Sequence, residues 1–417
     1  MKTSLSSIVM GGILLVTVVF PSIIFMVFHA SSMATGILVV SLLYFCAFVM
    51  FNVAFLSHRN FFLCSLLIVA IMLGVLTHGL FNYLINEDFD AGRFFSSYLI
   101  LFIYFLGAAS FALLMHHISI VKTNFSVNLV FYVLLLSSIA GIMKYSPFSA
   151  NLEKSVLFFS EPSHFALSFL PFLLYVAVIS ASGKRILFIL SSYLIALLLE
   201  NLTLVIGITL ITSLVIPTKR LFLLALIAII LILFSSLNFD YYVSRADLSA
   251  DSKSLSTLVF LSGWERAYQS LADTFGLGVG FQQFGIIGKE GDLMGVIEAM
   301  SGERLNLLDG GSIAPKFIGE FGVLGVILLL TYLTYFAKSI ILLHKISMEN
   351  VPHFQFTEIF FHACFVMYSV DLFIRGTGYF SSSGFFFVAS ILWMAIKQEH
   401  KQQMQVAKVP DAQAILR

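Results

Sequence analysis

Charged residues in this chain are confined almost entirely to short gaps between apolar runs of about 20 residues. That spacing matches the roughly 30 Å hydrocarbon core of a bilayer. A helix satisfies its own backbone there, and the sequence carries no period-2 alternation of the kind a barrel needs. The fold class that follows is an all-α, polytopic membrane protein. Of 417 residues, 59% are hydrophobic and 11% charged, against roughly 25% charged in soluble domains. The 45 phenylalanines fit lipid-facing helices. A net charge of +1 argues against nucleic acid as a partner.

Twelve spans are expected, at 8–28, 34–56, 60–80, 94–115, 125–145, 163–181, 186–199, 202–216, 221–237, 317–337, 355–374 and 380–396. The chain then forms a single integral membrane domain over 1–417, with a large loop at 238–316 and a tail at 398–417. Lys2, Arg59, Lys122, Lys184, Arg185, Lys219, Arg220, Lys338, Lys345 and Lys397 fall at every second connection. By the positive-inside rule both termini are cytoplasmic and 238–316 faces outward. Taken as one helix, 186–216 would run about 46 Å and put its two basic pairs on opposite sides. A turn at Glu200-Asn201 keeps both pairs inside and leaves Glu200 in a protein-lined recess. Cys46, Cys64 and Cys364 lie inside spans and read as small core residues. No His/Cys/Asp/Glu spacing points to a metal, and no cofactor motif is present.

The polar residues gather in a few places. Segment 238–316 has ten acidic and six basic residues and is too long to be structureless. Residues 262–275 read as an amphipathic helix begun by Ser262, with Glu265 at the capping-box position, able to lie on the membrane surface. GLGVGFQQFG follows, and its Gly278 and Gly280 allow backbone N–H groups to crowd around an anion or simply form a turn. Arg266, about ten residues earlier, has a planar fork suited to phosphate.

SEPSHFAL at 160–167 places Glu161 beside a helix N-terminus with Pro162 at its first position, and His164 one turn on. This is either a functional pair or a capping carboxylate beside a satisfied histidine. In DLFIRGTGYFSSSGFF, Asp371 and Arg375 are i,i+4 partners, an ion pair of structure or of function. Ser312, Lys316 and Glu320 lie on the stretch leading back into the membrane. Glu358 and His362 share a helix face.

Together, SEPSHFAL, Arg266 with GLGVGFQQFG, GGSIAPKFIGEFGVLG and RGTGYFSSSGFFF resemble the O-antigen polymerases (the Wzy family), and the span plan resembles theirs over the whole chain. The resemblance implies an enzyme of the bacterial inner membrane that needs no cofactor. It would transfer a growing glycan from undecaprenyl pyrophosphate to a new lipid-linked repeat unit on the periplasmic side. It also implies a fold shared with O-antigen ligases, loop arginines that hold pyrophosphate, and a chain-length regulator as partner. Arg266 is the position matched to such an arginine, with Arg375 beside it and Arg245 and Arg304 in reserve. Glu161 or His164 would take the proton, and Gly278, Gly280, Ser312, Lys316 and Tyr379 would line the substrate site. Ser312 stands near the place where ligases carry a histidine, which favours polymerase. A ligase acting on a lipid A core, or a flippase that moves lipid-linked units without chemistry, are the alternatives.

Overall fold

The central helix of the molecule is the one that SEPSHFAL begins. The computed structural model describes residues 5–30, 32–52, 58–118, 120–148, 155–217, 239–349 and 356–407. The first five helices are α1 (Leu5–Val27), α2 (Ala34–Asn52), α3 (His58–Ile85), α4 (Ala91–His117) and α5 (Ile120–Ile142). The central helix is α6 (Pro162–Ile179), followed by a short pair, α7 (Ser182–Leu198) and α8 (Leu202–Val215). Three helices, α9 (Phe239–Ala246), α10 (Leu255–Asp273) and α11 (Asp292–Ser301), occupy the long polar segment. The last three are α12 (Ile313–Glu349), α13 (Phe356–Phe373) and α14 (Ser382–Ala407).

The protein is a helical membrane protein. Among the described residues α1, α3, α4, α5, α6, α12 and α13 are long and apolar enough to cross a bilayer, while α2, α8 and α14 carry shorter apolar stretches. Each expected span coincides with a helix except 221–237, which lies outside the described residues. Helix α14 runs on to Ala407, past the point where the tail was expected to begin.

Helix α6 is buried along most of its length and touches α5, α7, α8, α12, α13 and α14. Around it the phenylalanines do more than face lipid. Phe111, Phe131, Phe165, Phe169, Phe172 and Phe360 are fully buried. Phe165 stacks on Phe169 at 5.2 Å, and Phe169 on Phe131 at 5.6 Å. Lipid tails are as apolar as these rings, so close packing rather than escape from water holds helices together here. Small residues serve the same end: a side chain at Gly107 of α4 would come within 2.5 Å of Ser41 in α2. Cys64 and Cys364 are buried, whereas Cys46 is exposed on α2.

Arg185 sits at the far end of α6. Its guanidinium donates to Ala177 O (2.8 Å), Val178 O (3.5 Å), Ser180 O (3.1 Å), Val215 O (3.0 Å) and Ser347 O (2.9 Å). These carbonyls end or nearly end α6, α8 and α12, where the helix leaves its last C=O groups unpaired and the dipole favours a cation. One side chain thus ties three helix ends together.

Helix α12 is broken at Gly322, whose φ of 60° and ψ of −137° interrupt the ladder. The 276–280 turn fills the break. Val279 N donates to Gly319 O and Gly280 N to Glu320 O, both at 2.9 Å, while Val323 N donates to Gly276 O at 2.8 Å. Gly278 has φ +80°, and a Cβ there would lie 2.4 Å from Gly322 N.

Candidate active site

Asn201 brings the site together. It caps α8 by accepting from Leu204 N at 3.2 Å, as Asn does at helix starts, and its Nδ2 donates to Pro162 O at 2.6 Å. The tip of the α7–α8 hairpin is thereby fixed to the beginning of α6. Glu200, at the tip, takes a left-handed φ of 47°. The expected turn at Glu200-Asn201 and the recess around Glu200 are both present.

That recess is a cavity of about 1950 Å³. Its charged border holds Glu161, Glu200, Arg245, Arg375 and Lys144, and Leu198, Leu199, Leu202, Ile206 and Ile142 make an apolar wall. Arg375 Nη2 lies 3.2 Å from Glu161 Oε2. Ser163 Oγ donates to the same oxygen at 2.9 Å. Burial raises the pKa of Glu161, but His164 and Arg375, with hydrogen bonds from Ser163 and Arg375, overcome it and hold the carboxyl below its ordinary value. Behind the wall, His164 Nδ1 is 2.9 Å from Ser160 Oγ, and Ser160 lines the cavity. The arrangement offers cations for an anionic headgroup, a greasy surface for a lipid, and a Ser–His pair at one edge.

Glu161 and Arg375 share the cavity with Arg245, the arginine held in reserve, and His164 stands one side chain behind. Asp371 does not pair with Arg375. It is 1% exposed and accepts from Ser383 Oγ at 2.8 Å. Arg375 lies just past the end of α13, where the chain leaves the helix and turns toward Glu161.

Arg266 does not line the cavity. Helix α10 begins at Leu255, earlier than Ser262; Arg266 lies with Ser262, Gly263 and Ser270 on its buried face, and the helix packs on α12. Its Nη2 donates to Ile287 O at 3.3 Å and its guanidinium lies 5.7 Å from the Phe284 ring centre. Burial lowers its pKa, and Glu290 partly offsets this. That face docks the helix on α12, while Tyr268, on the face expected to lie on a membrane surface, is exposed. Glu265, instead of completing a box with Ser262, accepts from Asp292 N (2.9 Å) and Leu293 N (3.2 Å) and so caps α11.

Gly278 and Gly280 form no anion cradle, because the backbone N–H groups from Gly276 to Gly280 are all engaged within the protein. Arg304 lies apart, bridging Glu290 at 2.6 Å and Glu298 at 3.1 Å on an exposed surface. Lys316 is buried and bonded to Asp309 at 2.8 Å, and it lies 5.0 Å from the ring centre of Tyr379. Tyr379 donates to Glu320 at 2.9 Å. Ser312 is fully buried next to Gly311, which does line the cavity. None of Ser312, Lys316 and Tyr379, expected to line the substrate site, lines the cavity. Glu358 pairs with Lys397, and His362 bonds Ser339 at 2.9 Å.

Among the cavity residues, the sequence names Ser160 and Asn201 only as parts of SEPSHFAL and of the turn, and does not single out Lys144. Ser160 stands four residues before His164, a helical spacing that could have found it. Asn201 has the N-cap position, and Lys144 ends an apolar span. No protein-family model, no curated protein and no solved structure matches this chain.

Proposed function

We propose that the protein is an O-antigen polymerase of a bacterial inner membrane, with the cavity open to the periplasmic side. It transfers a growing glycan from undecaprenyl pyrophosphate to a sugar hydroxyl of a new lipid-linked repeat unit. The observation that supports this most directly is one cavity that joins Arg375, Arg245 and Lys144 to a leucine-rich wall. An amphiphile with a diphosphate headgroup is complementary to both.

The acceptor oxygen attacks the anomeric carbon and the bond from that carbon to the pyrophosphate oxygen breaks. The electron pair leaves with the pyrophosphate, so the anomeric centre inverts and no nucleotide is needed. Arg375 and Arg245 stabilise the charge that grows on the leaving group. Fixed cations in a site shielded from water do this without reorganising. The carboxyl of Glu161 is taken up by Arg375 and by Ser163 Oγ, which bind the same oxygen. Glu161 thereby orients Arg375, and the acceptor proton passes to Ser160 Oγ as Ser160 gives its own to His164 Nδ1.

The test is gel separation of surface polysaccharide from a deletion strain complemented with wild type or with Arg375→Ala. The expected result is a ladder with wild type and single repeats with the variant. Loss of every repeat would mean ligase chemistry. Lipid-linked units held on the cytoplasmic face would mean a flippase.

A further inference from the structure

His164 also borders a second, far smaller space. A crevice of about 10 Å³ lies between α1, α6 and the start of α14, lined in part by Ser22, His164, Ser168, Thr377 and Ser381–Ser383. A space holds one water molecule when it has roughly this volume and two to four polar partners. Ser22 supplies an independent sign of an occupant. It is 2% exposed, lines the crevice, and its Oγ has no hydrogen-bond partner in the protein. A buried hydroxyl is costly to leave in that state, and natural interiors supply a protein group or a water.

The crevice lies between two hydrogen-bonded pairs. On one side Ser160, in the wall of the large cavity, bonds His164 Nδ1 at 2.9 Å. On the other, Ser383 Oγ lies 3.1 Å from Ser381 Oγ and donates to Asp371 Oδ1 at 2.8 Å. With Nδ1 engaged, the imidazole has one ring nitrogen left for the crevice. Glu161 and Arg375 are the charged groups that act on it.

We propose that the crevice binds one ordered water, and that this water carries the proton from His164 onward to Ser383 and the Asp371 carboxylate. Ser22 and Thr377 are positioning residues that hold the water. The step rests on the polymerase reading above. As His164 gains a proton at Nδ1, it loses the one on Nε2 to the water. The water passes a proton to Ser383 Oγ, whose own proton moves to Asp371, so the relay runs while that buried carboxyl is ionised. The imidazole is left neutral as the other tautomer, and no oxidant, metal or co-reactant is consumed.

The test uses the full chain in nanodiscs and membranes of the complemented deletion strain, which hold their own lipid-linked repeat units. A density map should show one water in the wild-type crevice, and none in Ser22→Val, whose added methyl fills it. Polysaccharide lengthening should slow about tenfold in Ser22→Val and in Ser383→Ala, with a changed rate ratio between H2O and D2O. Ser390→Ala, a buried serine of the same helix bonded to Phe386 O, reports on handling and should lengthen normally. If Ser22→Val fails to accumulate, Ser383→Ala carries the kinetic test. An empty wild-type crevice overturns the proposal. So do normal rates and isotope ratios in both variants while Arg375→Ala is inactive. Full activity in Arg375→Ala would instead remove the polymerase reading, and the relay with it.

Discussion

Arg375 reaches across from the end of α13 to Glu161 at the start of α6, with Nη2 3.2 Å from Oε2. The two residues are far apart in the chain, and their meeting closes one edge of the cavity. Replacing Arg375 by alanine should lower the lengthening rate about 10²-fold, the usual cost of removing one fixed donor to a developing charge. Arg375→Lys should be nearly as poor, because a point charge does not reproduce the planar fork. Normal polysaccharide ladders from the lysine variant would show that bidentate contact plays no part.

The depressed pKa of Glu161 gives a pH dependence with a definite sign. The folded carboxyl is more acidic than the unfolded one, so its contribution to stability is complete above the ordinary value of about 4.3. It is lost as the pH falls through the lower folded value. Thermal unfolding of the detergent-solubilised protein should therefore separate wild type from Glu161→Gln at neutral pH, and the two should converge in acid. A gap that widens in acid would contradict the assignment.

Arg185 should matter for folding and not for chemistry. Alanine there removes the guanidinium donor from Ala177 O of α6 and Ser347 O of α12, at about 1–3 kcal/mol for each that water does not reach, while Val215 O of α8 keeps Ser347 Oγ. Arg185→Ala should fall well below wild type in melting temperature and in membrane yield. Arg185→Lys should recover only part of the loss, since one ammonium cannot serve five acceptors in that geometry. Unchanged melting in both would remove the capping role.

Gly278→Ala should undock the 276–280 turn from the break in α12. The new Cβ would meet Gly322 N at 2.4 Å in a left-handed conformation, which L side chains tolerate at a cost of about 1–3 kcal/mol before any clash. Limited proteolysis should then cut within 270–290, a segment expected to resist in wild type.

Asn201→Ala removes both the cap of α8 and the bond to Pro162 O. The cap alone is worth about 1 kcal/mol. A cysteine placed at position 200 should react with a small polar thiol reagent in either background, and faster once Asn201 is gone. Inaccessibility in both would mean that Glu200 does not face the cavity.

Much of this layout was legible before any coordinates. Apolar run length placed the helices, and the basic pairs at 184–185 and 219–220 required the hairpin between them to turn at Glu200. SEPSHFAL and Arg375 were readable because ionisable groups are costly at membrane depth. The failures share a cause. Gly276–Gly280 and Arg266 looked like an anion site because composition records which donors exist, not which are already engaged. Here Gly319, Glu320 and Ile287 take them. The pairing of Asp371 with Arg375 was inferred from helical spacing, yet the helix ends at Phe373 and the spacing no longer applies. Helix α10 starts seven residues before Ser262, so Ser262 is an interior helix residue and not a cap, and it docks with Arg266 and Ser270 on α12.

The α7–α8 hairpin is anchored differently at its two ends. At its foot Arg185 binds the ends of three helices, while at its tip Asn201 clasps the first residue of α6. A rod clamped at the base and latched at the point swings about the base when the latch is undone. The leucines beside Glu200 would travel farthest, so a bulky guest could widen the chamber there without disturbing the opposite end of the bundle.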